Sequence, residues 1–215
     1  LFFINQIFKF TKNISKSLNH LTMKRTLLIT LLFIPFLGIS QTTKPIDGFL
    51  GIKFGSGRAS VIASMEAKGS VLTSKNTSDP LIFTNVKLGH RAAKWLYVYF
   101  VDDKAYEGTI IFQAENEPES LDYYNALVKD VTDVYGPGTR GNNLKSPYQY
   151  GDGREATAIS GGYGAIFDTW KDGKNSLQAI IRSLNDEVYS QLLYIDSDLN
   201  AQAEAKQKAK EKSDF

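Results

Sequence analysis

The chain of 215 residues contains no cysteine. That excludes disulfide staples, thiolate metal sites and thiol nucleophiles, and with them the lipid anchor of bacterial lipoproteins. Histidine is scarce too, with only His20 and His90 present. Neither an H-E-x-x-H nor a G-x-S-x-G pattern occurs, so the hydrolases those motifs mark are excluded. No apolar run reaches the roughly 20 residues that a membrane span needs. The longest, at 27–39, is interrupted by Pro35.

That run has the flanks of a secretory signal. Met23, Lys24 and Arg25 form a short positive start, and Gly38 and Ser40 are small residues at the spacing a signal peptidase accepts. Cleavage after Ser40, leaving Gln41 first, is expected. Thirteen of the residues in 1–22 are Phe, Ile, Asn or Lys, with no acid, glycine or methionine among them. The segment reads as a misannotated upstream extension, 23–40 as the signal peptide. The expected destination is the periplasm or the medium, with no transmembrane span in the mature protein.

Charge changes with this reading. The whole chain is formally +2, and the five basic residues of 1–40 face no acid there, so the remainder is −3. A nucleic-acid partner loses its electrostatic support. Without disulfides, stability must come from an apolar core, and residues 41–197 are enough to build one.

The pattern along 41–197 is α+β. A short strand in "GFLGIKFGSG" leads to a helix at about 57–68, with Ser56 as its expected N-cap. Strand-like runs follow at 71–74, 81–88, 94–101 and 105–113, the last two joined by a turn at Asp102, Asp103 and Lys104. A second helix begins near Asn116 and Pro118, carries the stripe Leu121, Tyr124, Leu127, Val128, Val131 and Tyr135, and stops at Gly136. Further strands are expected at 156–160, 164–170, 176–184 and 188–195, with turns at Asp172 and Gly173 and at Asn185 and Asp186. The order predicts one α+β domain of helices packed on antiparallel β-sheet, built as tandem α-β-β-β-β units at about 48–115 and 116–197. Residues 198–215 read as a solvated C-terminal helix or tail, with Asp198 as cap.

Motifs that suggest chemistry have simpler explanations. Gly55, Ser56 and Gly57 read as a tight strand-to-helix turn, since Ser60 replaces the third glycine of a dinucleotide fingerprint and a meander follows. Gly136, Gly138 and Gly141 have the fingerprint spacing but follow a helix instead of opening one. Asp196, Asp198 and Asn200 match the start of a calcium loop, yet Ala201 and Gln207 stand where glycine and a bidentate glutamate are required. Helix capping explains them. Asp168, an acid inside a strand, fits an exposed sheet face. No catalytic residue, metal site or cofactor is expected.

Two features stand out. Trp95, Tyr97 and Tyr99 share one face of a strand whose other face is Leu96, Val98 and Phe100, which predicts a central strand covered on both sides; the alternative is an exposed aromatic stripe. The segment 136–154, "GPGTRGNNLKSPYQYGDGR", reads as a long loop, and such loops are usually functional or disordered. It carries Arg140, Lys145, Tyr148, Tyr150 and Arg154 against Asp152, a local basic patch, and replacing 139–152 with a Gly/Ser linker is expected to leave the fold intact. These eight residues are the candidate binding set.

The segment "GIKFGSGRASVIASMEAKG" with its meander, and more loosely 118–195, resembles exported bacterial modules such as the β-lactamase-inhibitor-protein family and the small outer-membrane assembly lipoproteins. The resemblance implies helices on an antiparallel sheet whose aromatic face or loops bind another protein. The absent lipid-attachment cysteine departs from the lipoprotein pattern, and no functional residue carries over. The expected function is an exported bacterial envelope protein, a non-enzymatic binding module for a protein or glycan partner. The alternative is a small hydrolase with an unrecognised carboxylate site, which acids converging in one pocket would favour.

Overall fold

The structure is a computed structural model, and it describes residues 43–114 and 117–213. The expectations for 1–40, for Gln41 as first residue and for Asn116 as a cap lie outside the described residues. From Gly48 onward the chain forms the hairpin β1 (Gly48–Phe49) and β2 (Ile52–Lys53), then helix α1 (Arg58–Glu66). Strands β3 (Val71–Leu72), β4 (Leu81–Thr84), β5 (Val86–Leu88), β6 (Arg91–Ala93), β7 (Trp95–Val101) and β8 (Lys104–Phe112) follow. A 3-10 turn, Glu117–Glu119, leads into α2 (Ser120–Tyr135). Then come β9 (Thr139–Asn142), α3 (Glu155–Ser160), β10 (Ala165–Asp172), β11 (Asn175–Leu184), β12 (Glu187–Asp196) and α4 (Ser197–Ser213).

Eight strands form one antiparallel sheet in the order β3-β4-β7-β8-β12-β11-β10-β9. Each half gives the sheet a helix and four strands, α1 with β3, β4, β7 and β8 and α2 with β9 to β12, the hairpin β5–β6 and helix α3 being inserted, and the halves meet where β8 pairs with β12, Leu192 opposite Ile110. The tandem arrangement is therefore present, with the last strand of each unit at the centre and the first at an edge. Tight turns set the meander's register. Asp102 and Asp103 sit at φ 49° and 58°, and Asn185 and Asp186 at 51° and 63°, the left-handed conformation that two-residue hairpin loops require. Lys104 belongs to β8 and pairs with Val101.

Period-two alternation sends Leu96, Val98, Ile110, Phe112, Leu177, Ala179, Ile181 and Leu192 to one face, where each is at most 1 % exposed. Helices cover that face: α1 contributes Val61 and Met65, α2 Tyr124, Leu127 and Val131, and α3 Ile159. Phe49 packs against the sheet centre at Gly108, where a Cβ would lie 2.5 Å from its ring. Only glycine permits that approach. Gly136, at φ 80°, ends α2 while its carbonyl accepts the Trp170 indole N–H at 2.8 Å.

Several elements depart from expectation. The run 81–88 is two strands, because Asn85 at φ 55° turns β5 out of the sheet to pair with β6. Ser56 does not cap α1; its N-cap is Gly57, and the Arg58 N–H instead donates to the Asp103 carboxylate at 3.1 Å, from the β7–β8 turn. Residues 156–160 form α3 and not a strand, with Ala158 and Ile159 buried side by side. The segment 136–154 is not one loop, because β9 lies inside it and forms the sheet edge against β10. Asp196, not Asp198, caps α4, its Oδ1 accepting the N–H groups of Asp198 at 3.0 Å and Leu199 at 3.1 Å. Helix α4 has no buried residue, as a solvated helix should.

Candidate functional site

The site is built around an acid at the sheet's helix-covered face. Asp168 on β10 lies directly opposite Arg140 on β9 and is 5 % exposed. This corrects the exposed-face reading: Asp168 is two positions from buried Ile166 and from buried Trp170, so it points inward with them. Burial of a carboxylate requires partners, and two side chains supply them. The Tyr124 hydroxyl from α2 donates to Oδ2 at 2.7 Å, Arg140 Nη2 donates to Oδ2 at 3.0 Å, and Arg140 Nε lies 3.1 Å from both oxygens. Burial, reinforced by its acceptor Asp168, pushes the Tyr124 phenol up, and the Asp168 carboxylate holds the Arg140 guanidinium above its ordinary value. The tyrosine stays a donor and the arginine stays charged.

Arg140 extends this core network to the surface. Its Nη2 donates to Asn125 Oδ1 at 3.3 Å and its Nη1 to the Tyr150 hydroxyl at 3.2 Å. Tyr150 belongs to the connection between β9 and α3, which is locked internally. The Gln149 and Arg154 N–H groups both donate to Asp152, at 3.0 and 2.8 Å. Arg154 Nη2 donates to the Pro147 carbonyl at 3.2 Å, and its guanidinium lies 5.2 Å from the Tyr148 ring. Tyr148 in turn packs on Tyr163 with centroids 5.0 Å apart, and the Lys145 N–H donates to the Tyr163 carbonyl at 2.8 Å.

The structure thus joins Arg140, Tyr148, Tyr150 and Arg154 in one framework, with Lys145 at its entry. The expected basic patch is corrected: Arg140 pairs with Asp168 and Arg154 with Asp152, so two of the three cations are neutralised. The framework instead presents aromatic rings, with Tyr150 48 % and Tyr163 43 % exposed. The expectation that replacing 139–152 leaves the fold intact is corrected as well. That segment contains β9 and Arg140, and its loss would strand Asp168 inside the fold.

Trp95, Tyr97 and Tyr99 lie on the opposite side of the sheet. All three are half-buried; α1, α2 and α3 pack on the other face, and α4 approaches β7, β8 and β12. The register runs a row from Trp95 through Ile111, Gln191, Ile180 and Phe167 to Gly141. The next row runs from Tyr97 through Thr109, Leu193, Gln178 and Thr169 to Thr139. Lys94 lies 4.5 Å from the Trp95 ring and donates to the Tyr189 hydroxyl at 3.2 Å, which raises its pKa. At the far end, burial raises the pKa of Glu107, against the effect of a hydrogen bond donated by Thr109 at 2.7 Å, and pushes Tyr106 up to about 12.

Among the described residues, Asp79, Asp102, Glu204 and Glu211 line one cleft of about 610 Å³ beside α4, interleaved with Lys206, Lys208 and Lys210. No group of three or more His, Cys, Asp or Glu among the described residues is disposed to hold a metal ion. A cleft of about 900 Å³ beside Arg140 and Trp170 contains one acid, Asp172, whose Oδ2 accepts the Ile46 N–H at 3.0 Å. Asp196 and Asp198, the calcium-loop candidates, share Lys174 Nζ at 3.2 Å each. His90 is exposed between β5 and β6.

The sequence search missed Tyr124, Tyr163 and the role of Asp168. Tyr163 alone carried a legible signal, an aromatic residue among Gly161, Gly162 and Gly164. No family model, curated protein or solved structure matches the chain.

Proposed function

We propose that the protein is an exported bacterial envelope protein and acts as a non-enzymatic binding module, taking a protein or glycan partner on the aromatic framework between β9 and β10. One observation carries this reading. The two aromatic residues most exposed among the large apolar side chains of the described residues, Tyr150 and Tyr163, flank α3 within the segment that joins β9 to β10, where Tyr148 packs on Tyr163. A connection already held by its own hydrogen bonds loses little conformational entropy on binding. Tyrosine rings supply rigid contact area with a polar tip, the kind enriched at interfaces. The resemblance to exported inhibitor and assembly modules belongs to the same proposal.

The test is a double variant, Tyr150→Ala with Tyr163→Ala, used as bait against envelope extract and against immobilised glycans. The expected outcome is an unchanged circular dichroism spectrum and loss of whatever the wild type captures. A folded double variant that captures as well as the wild type would overturn the assignment of the framework as the binding surface.

A further inference from the structure

Antiparallel pairing uses the backbone groups of alternate residues, so a strand at a sheet edge keeps the other half unpaired. In β9 these groups can be assigned residue by residue. The Asn143 N–H donates to the Ala165 carbonyl at 3.1 Å, and by alternation Thr139 and Gly141 also turn their peptide groups to β10. The N–H and C=O of Arg140 and Asn142 therefore point away from the sheet, and no described residue bonds to them. Thr139, Arg140 and Asn142 are all exposed. A proline, a bulge or an outward lysine would close such an edge. Strand β9 has none of these, and its one charged side chain is turned onto Asp168.

We infer that β9 is the docking edge for an extended peptide segment of a protein partner, one carrying an acidic and an apolar side chain. The inference rests on the reading above in taking the partner to be a protein. Main-chain bonds to Arg140 and Asn142 would set the register of the added strand, and its alternate side chains would set specificity. A peptide backbone matches N–H and C=O groups repeated at this spacing, and a glycan does not. The apolar preference comes from Phe167. Gly141 lies directly opposite it, and a Cβ at Gly141 would stand 2.5 Å from the ring. The ring thus lies across the glycine toward the free edge, where a strand about 4.8 Å further out would bring a side chain against it. The acidic preference comes from the cleft of about 900 Å³ along β9, which Lys44 and Lys171 line. Neither lysine has an ion-pair partner among the described residues, whereas Arg140 is paired with Asp168 and the cleft's one acid, Asp172, accepts the Ile46 N–H. The unpaired charge of the cleft is positive and complements a carboxylate.

The test pans a displayed library of random-sequence peptides against the chain from Gln41 onward, and the enriched sequences are synthesised. They are expected to place an acid and an apolar residue on one face of an extended strand. The amides of Arg140 and Asn142 are expected to exchange hydrogen quickly in the free chain and to become protected when such a peptide is added. Asn142→Pro removes an outward N–H that the fold does not use, and is expected to keep the circular dichroism spectrum and weaken the peptide about tenfold. Lys44→Glu with Lys171→Glu alters two exposed side chains and is expected to weaken it about tenfold too, by an amount that shrinks as salt rises. Enrichment of no peptide would overturn the inference. So would amides of Arg140 and Asn142 already protected in the free chain, whether by Gln41 and Thr42 or by β9 of a second copy. A peptide that binds the folded proline variant or the charge-reversed pair as tightly as wild type would overturn it as well. The variant Tyr150→Ala with Tyr163→Ala separates the two proposals. A peptide lost in that variant and leaving both amides unprotected belongs to the aromatic framework and overturns the edge; one that protects the amides and binds the variant unchanged supports the edge alone.

Discussion

Asp168 illustrates how one residue couples the core to the surface. Its carboxylate is inside, Tyr124 reaches it from α2, and Arg140 bridges it to Tyr150. Removing one partner of a buried, hydrogen-bonded ion pair costs about 3–5 kcal/mol, because the remaining charge stays buried. Arg140 is a third exposed, and water entering its place offsets part of that cost. Arg140→Ala is therefore expected to lower unfolding stability by about 2–3 kcal/mol in urea titration. Arg140→Lys should recover only part, since an ammonium cannot span both carboxylate oxygens. A loss below 0.5 kcal/mol, within the range of an ordinary surface change, would show that the network is ornamental to stability.

At the scale of elements, context decides the ends more than the middles. The amphipathic stripe of α2 makes it a helix wherever it docks, yet α1 takes its cap from Asp103, 45 residues away. The C-terminal helix is the opposite case, held by the Asp196 cap, an exposed ion pair between Lys206 and Asp102, and little packing. Exposed pairs contribute little. Deleting 201–215 is expected to change stability by less than about 1 kcal/mol, read as a thermal midpoint within a few degrees of the full chain. A large drop would mean that α4 is docked on the β7–β8 end of the sheet.

For the whole molecule, the N-terminal expectation meets the fold at a defined place. Lys44 N–H donates to the Val134 carbonyl at 3.3 Å and Ile46 N–H to Asp172 at 3.0 Å, so the fold holds the chain within a few residues of the expected cleavage point after Ser40. Intact-mass measurement of protein exported by the native host is expected to give a chain starting at Gln41. Expression from Met23 should yield the same product. A mature chain retaining 1–22 would overturn the reading of that segment as an upstream extension.

What the sequence by itself determined is local: alternation for the long strands, the 3.6-residue stripe of α2, and turn residues that tolerate positive φ at Asp102, Asp103, Asn185 and Asp186. These suffice for the α+β class, because each signal is complete within a dozen residues. Only the tertiary structure decided the rest. The strand β9, "TRGN", has no apolar alternation and is a strand because β10 supplies its hydrogen bonds. The six residues of α3 are too few to display helical periodicity, and their alternating alanines resemble a strand. Asp168 is buried because Arg140, 28 residues away, lies opposite it. The aromatic face of β7 lies away from α1, α2 and α3, which all pack on the other side of the sheet. Local pattern states that a face is apolar; which neighbour covers it is a property of the assembled chain.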